Sequence, residues 1–130
     1  MLKLTYTENN FSIEQLSQPL EAWVTTRVTL ALRAGTPLTV EPTTASFLLP
    51  IDLPYLGDLE VAISQENNAL IGLDLCDEDY VEVSLEGTWI TSNPETEEGI
   101  FVTTMPDAVE FFLVKLWQEA KAIAVMNYQE

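Results

Sequence analysis

Apolar and polar positions along this chain alternate in some stretches and recur every three or four residues in others, and the elements follow from that contrast. Residues 2–7 set Leu2, Leu4 and Tyr6 against Lys3, Thr5 and Thr7, which predicts a first strand. In "SIEQL", Ser12 and Gln15 are spaced as a capping box, and Pro19 stands either in a helix's first turn or at its break. A short helical piece is therefore expected over 12–18. Residues 22–34, "AWVTTRVTLALRA", place Val24, Thr26, Val28, Leu30, Leu32 and Ala34 on one face of an extended chain. Trp23, Thr25, Arg27, Thr29, Ala31 and Arg33 fall on the other face, and the β-branched content agrees with a long strand. "AGTP" then turns the chain, and "LTVEP" and "ASFLLPI" read as two further short strands.

Pro50 and Pro54 bar residues 49–58, "LPIDLPYLGD", from a central strand. They read instead as an extended, partly polyproline-like loop with apolar teeth at Leu49, Ile51, Leu53, Tyr55 and Leu56. "LEVAIS" (59–64), the polar "QENN" and "ALIGLDL" (69–75) form a hairpin pattern. Residues 80–91 alternate with Val81, Val83, Leu85 and Trp89 inward and Glu82, Ser84 and Glu86 outward. "SNPETEEG" is an acidic loop, and "IFVTT" is the last strand. The terminal segment carries a helical stripe of Val109, Phe112, Leu113, Leu116, Ala120, Ile123 and Ala124, widened by Phe111, Val114 and Val125. Thr104 and Asp107 have N-cap spacing, with Pro106 in the tolerated first turn. At about 1.5 Å per residue this helix is a rod of roughly 33 Å, long enough to cross a sheet. The expected fold is one α+β domain over residues 1–130: an antiparallel β-sheet of six to eight strands with a long C-terminal helix on one face.

Charge changes this picture more than composition does. Residues 1–40 hold three acids and three bases, whereas residues 41–104 hold fourteen acids and no base, and the whole chain carries −16. From Ala34 to Val114 there is no cation at all. Such a field repels nucleic-acid phosphates and anionic lipid surfaces and favours basic partners. Its alternative reading is a device for solubility. With 47% hydrophobic residues the chain still has material for a substantial core, so the charge does not imply disorder. No apolar run approaches a membrane span, and "MLKLTYTENN" lacks the apolar stretch of a signal peptide. One cysteine makes no intramolecular disulfide, and a cytoplasmic location is expected.

There is no histidine, which removes Ser–His and Cys–His nucleophile pairs and histidine metal sites. Phosphate-binding glycine loops and the nucleophile elbow are also missing from the sequence. The densest acidic stretch, "LDLCDEDYVEV" (73–83), fails as a calcium loop from either start. From Asp77 the sixth and twelfth positions are Glu82 and Thr88; from Asp74 they are Asp79 and Leu85. It reads as a solvated turn between strands, with a looser divalent-cation site as the alternative. Its carboxylates surround the one thiol, Cys76, with negative charge that disfavours a thiolate, which argues against a reactive cysteine. No catalytic, cofactor or metal residues are assigned, and no enzymatic activity is expected.

Three surfaces are candidates for partner contact. Arg27 and Arg33 either pair across strands with carboxylates or meet an anion or partner. Leu49, Ile51, Leu53, Tyr55 and Leu56 either fold under the sheet or dock a partner. Phe111 and Trp117 flank a helical stripe too wide for one sheet face, so either the sheet curls around the helix or a second copy covers it as a homodimer. "AWVTTRVTLALRAG", "SFLLPIDLP" and "GTWITSN…GIFVTT" resemble small acidic cyanobacterial proteins of uncharacterised function, a resemblance that spans most of the chain and implies a cytoplasmic location. In size, acidity and α+β build the chain is also similar to acidic dimeric secretion chaperones and YbjN-type domains, but it departs from them in lacking a clear middle helix. The leading expectation is a non-enzymatic, chaperone-like or assembly protein with a basic protein partner and no direct nucleic-acid or membrane binding. A nucleic-acid mimic that blocks a basic groove and a small-ligand carrier are the alternatives.

Overall fold

The computed structural model of the protein describes residues 1–128, with side chains through residue 123. The order is β1 (Leu2–Tyr6), β2 (Phe11–Gln15), α1 (Leu20–Ala34), β3 (Thr39–Pro50), α2 (Leu56–Glu66), β4 (Ile71–Leu75), β5 (Tyr80–Thr91), β6 (Gly99–Thr103) and α3 (Asp107–Tyr128). The six strands form one sheet in the order β2-β1-β6-β5-β3, with β4 also paired to β5. The fold is α+β, as expected. The chain forms two compact units: unit 1 from residues 1–45 and 86–104, unit 2 from residues 46–85 and 105 onward.

In unit 1, β1 and β2 are a hairpin with Leu4 opposite Ile13, closed where the Thr7 N–H donates to the Asn10 carbonyl at 2.8 Å. The helix expected over 12–18 is therefore a strand over most of its length. Ile13 is buried, and a cross-strand partner outweighs a capping-box pattern with no apolar stripe behind it.

The long strand expected over 22–34 is α1. Alternation would place Leu30 and Leu32 inside, yet both are exposed, and the inward positions are instead Leu20, Trp23, Val24, Val28 and Ala31 at helical spacing. The ends decide the matter. Pro19 is the N-cap, and Gly35 is a left-handed C-cap (φ 69°) after which the Thr36 N–H donates to the Ala31 carbonyl at 2.9 Å. Two of the β-branched residues that suggest a strand are accommodated by local bonds: the Thr26 and Thr29 hydroxyls donate to the Ala22 and Thr25 carbonyls at 2.9 and 2.8 Å. Trp23 packs with Ile90 and Val102 to form a buried cluster. The opposite sheet face carries the row Leu4–Phe101–Trp89, each directly opposite the next, and Leu4 and Phe101 are fully buried.

β3 is one strand where two were expected. It lies at the end of the sheet order, so Pro42, which cannot donate, does not interrupt a central ladder.

In unit 2, residues 59–64 belong to α2 and not to a hairpin strand, so the chain does have a middle helix. Leu53, Leu56, Leu59 and Ala62 are buried at three-residue spacing, a helical pattern that begins inside the proline-rich segment and hides there. The C-cap Asn67 takes the left-handed conformation that Asn tolerates. β4 pairs with β5 from Ile71 opposite Leu85 to Leu75 opposite Val81. The acidic stretch between them is a turn: Asp77 Oδ1 accepts from the Asp79 and Tyr80 N–H groups at 2.7 and 3.0 Å. This carboxylate shapes the hairpin.

α3 packs on the sheet through Val109, Leu113 and Leu116, all fully buried, and Trp117 meets Phe47 edge-on at 5.8 Å. Its stripe is as expected through Leu116, although Ile123 is exposed and Glu110 is buried. Ala124 and Val125 lie outside the described side chains. The helix begins after Pro106, whose carbonyl accepts from the Glu110 N–H, and not at Thr104. Among the described residues no helix is long and apolar enough to cross a membrane.

Candidate partner-binding cleft

Unit 2 contains a cleft of about 630 Å³. β3 contributes Leu48 and Pro50, the turn after it Ile51 and Asp52, the start of β5 Asp79 and Tyr80, and α3 Trp117, Ala120, Lys121 and Ile123. Local sequence places each wall. In "FLL", adjacent strand residues must point to opposite faces, so Phe47 and Leu49 enter the core and Leu48 is turned out. The cleft's end is fixed where the Ile51 N–H donates to the Asp79 carbonyl at 2.8 Å. On α3, Trp117, Ala120 and Lys121 follow one another at helical spacing, with the tryptophan half-buried against Phe47.

Two sequence-predicted residues, Ile51 and Trp117, meet in this cleft. Leu49, Leu53 and Leu56 do not: they are core residues, which removes them as partner contacts. Tyr55 is exposed at the mouth of α2 with a positive φ of 67°, and the Lys115 ammonium lies 3.7 Å from its ring centroid. Phe111 is exposed, tilted edge-on to Phe112 at 5.5 Å. Tyr55 and Phe111 thus share Lys115, which stands 6.0 Å from the Phe111 centroid, as a separate patch on unit 2.

Arg27 and Arg33 are not on a sheet face. Arg27 stacks on Trp23 at 4.8 Å in a small cleft of unit 1, and Arg33 lies exposed in the last turn of α1, where a cation favours the helix dipole. The missed residues are Leu48, Pro50, Asp52, Asp79, Tyr80, Ala120, Lys121 and Ile123. Of these, Leu48 carried a local signal, because one of two adjacent strand leucines has to face out, and Asp79 another, as part of the densest acidic stretch.

The lining has two carboxylates, Asp52 and Asp79, and one ammonium, Lys121, around apolar and aromatic walls. Among the described residues no group of three metal-ligating side chains gathers anywhere. The Tyr6 ring in unit 1, between Phe11 at 4.9 Å and Trp89 at 5.3 Å, is structural, and burial pushes its phenol up to about 12. What the cleft offers is an open surface for an apolar side chain with two carboxylates and one ammonium in its lining.

No curated protein and no solved structure matches the chain. A family model does match over residues 1–121, in agreement with the resemblance read from "SFLLPIDLP" and its companions: the chain belongs to the Alr0857-like family.

Proposed function

We propose that the protein is a non-enzymatic binding protein, of assembly or chaperone-like type, that holds a basic protein partner in the cleft of unit 2. One observation carries this reading: four of the large apolar side chains left in water line the same cleft. Leu48, Ile51, Tyr80 and Ile123 are 48%, 39%, 42% and 40% exposed, and all of them line it. Single exposed leucines need no explanation, but a cluster around a hollow is where association removes apolar area from water, at about 25 cal/mol per Å². Trp117 and Tyr80 supply the rigid aromatic walls that dominate interface energetics. Asp52 and Asp79, in a chain of net charge −16, support a cationic partner by steering and register more than by raw affinity. A chain without histidine also lacks the usual neutral-pH acid–base catalyst.

The test is capture from native extract, at low and moderate salt, with the wild type and with the double variant Leu48→Thr/Ile51→Ser as baits. Both substitutions are at exposed positions, so the melting temperature of the variant should stay nearly unchanged. The expected result is a stoichiometric basic partner held by the wild type and bound about tenfold or more weakly by the variant. Equal retention by both baits, or no partner at either salt, contradicts the proposal.

A further inference from the structure

Leu48 and Pro50 of β3 line the cleft, and β3 stands at the end of its sheet. β3 is the last strand in the sheet order, so among the described residues the side away from β5 has no strand partner. Two hydrogen bonds fix which residues face outward. The Ile51 N–H donates to the Asp79 carbonyl, and the Cys76 N–H donates to the Tyr80 carbonyl at 3.1 Å. Odd-numbered residues at the start of β5 therefore turn their backbone groups toward β3, and even-numbered ones toward β4. By the same two-residue alternation Leu49 and Phe47 turn theirs toward β5, and Leu48 and Ser46 turn theirs away. The buried set Phe47, Leu49, Val81 and Val83 agrees with this register. Among the described residues, no backbone hydrogen bond outside the helix and strand ladders reaches Ser46 or Leu48.

Natural edge strands are usually blunted by charged side chains, prolines or covering segments. In β3 the prolines stand at Pro42 and Pro50, and the seven residues between them, Thr43–Leu49, include no charge in a chain with twenty-one acids. The first charge after the edge is Asp52, which lines the cleft together with Asp79, and the exposed Asp77 and Glu78 precede Asp79 in its turn. An uncharged, open edge that leads into a group of carboxylates fits an extended chain carrying a cation at its end. It fits a second copy of this protein poorly, since each copy brings its own −16.

We infer that unit 2 binds its partner by β-strand addition: an extended, lysine- or arginine-bearing segment of a basic protein pairs with the outer edge of Ser46–Pro50. The segment's alternate side chains enter the cleft against Trp117 and Ile123, and its cation meets Asp52 and Asp79. This inference rests on the cleft being the binding site and adds the mode of recognition. In that mode main-chain hydrogen bonds supply affinity and are tolerant of sequence, so a generic strand peptide is a sufficient probe.

The probe is a labelled peptide of about seven residues, alternating valine and threonine with a lysine at each end. Its anisotropy is followed with the full-length protein at low and moderate salt. Saturable binding that weakens with salt is expected. N-methylation of one set of alternate peptide amides should weaken it about tenfold or more, while methylation of the other set leaves it nearly unchanged, because only one set faces the β3 edge. Equal tolerance of both methylated sets overturns strand addition while leaving cleft binding in place, whereas partner retention by the Leu48→Thr/Ile51→Ser bait overturns the cleft itself. No saturable binding at low salt overturns the inference. So does a stable dimer of the protein alone that the peptide fails to dissociate, since the edge would then belong to a second copy.

Discussion

Truncating Phe101 to alanine will destabilise the protein by about 3–5 kcal/mol. Phe101 is the largest of the fully buried side chains among the described residues and sits in the middle of the row Leu4–Phe101–Trp89, on β6 between β1 and β5. Removing its ring forfeits the transfer free energy of the ring and leaves a cavity. Strands paired on both sides cannot collapse into that cavity without losing register. A chain of this size has a total stability of about 5–15 kcal/mol, so the loss is a large share of the whole. Urea unfolding measures it: the midpoint should fall sharply with little change in slope. A loss below about 1 kcal/mol would mean that this row is not the packed centre of unit 1.

Substituting Gly87 with alanine will also cost about 1–3 kcal/mol, and the cost will depend on Phe101. A Cβ at Gly87 would collide with the Val102 carbonyl and stand 2.8 Å from the tip of the Phe101 ring and 2.9 Å from the Thr103 Cβ. Gly87 lies between Leu85, which faces Ile71 of β4, and Thr88, which faces Val102 of β6. The neighbouring backbone approaches so closely there that only a bare Cα fits. In the Phe101→Ala background the ring contact disappears but the carbonyl contact does not. The double variant should therefore be more stable than the sum of the two losses predicts, with part of the glycine penalty remaining. Unfolding of the four proteins gives the coupling directly, and additivity within about 0.5 kcal/mol would show that the ring does not press on Gly87.

The segments that the sequence made legible are those whose period had no rival. Residues 80–91 alternate for twelve positions, and the apolar stripe of α3 runs for several turns, so neither fits the other geometry. The 22–34 segment fits both. Its alternating face is as apolar as its helical face, and β-branched content tips a local reading toward a strand. Pro19 and Gly35, the two residues that fix α1, carry their information at the ends. Reading Pro19 as the start of the following helix, and not as the stop of the preceding one, would have recovered both α1 and the β1–β2 hairpin. α2 was obscured for a related reason: its buried spacing starts at Leu53, within a segment whose prolines pointed to a loop.

The cleft was half legible. Ile51 is an apolar residue beside a proline with no partner in its own segment, and Trp117 lies off the main stripe of α3, so both stand out as unplaced. That they share a hollow depends on the pairing of β3 with β5 and on α3 packing against Phe47, neither of which leaves a local trace. The acidic turn, conspicuous in the sequence, proved to be a tight hairpin built on Asp77, and it contributes Asp79 to the cleft.

The central claim is that the partner sits in the unit 2 cleft, and the most direct measurement is amide hydrogen exchange on the complex captured by the wild-type bait. Slowed exchange is predicted within Ser46–Asp52, at the Ser46 and Leu48 N–H groups that face the outer edge of β3, with α1 and the β1–β2 hairpin unchanged. Protection confined to unit 1, or exchange at Ser46–Asp52 that is the same with and without the partner, would contradict it.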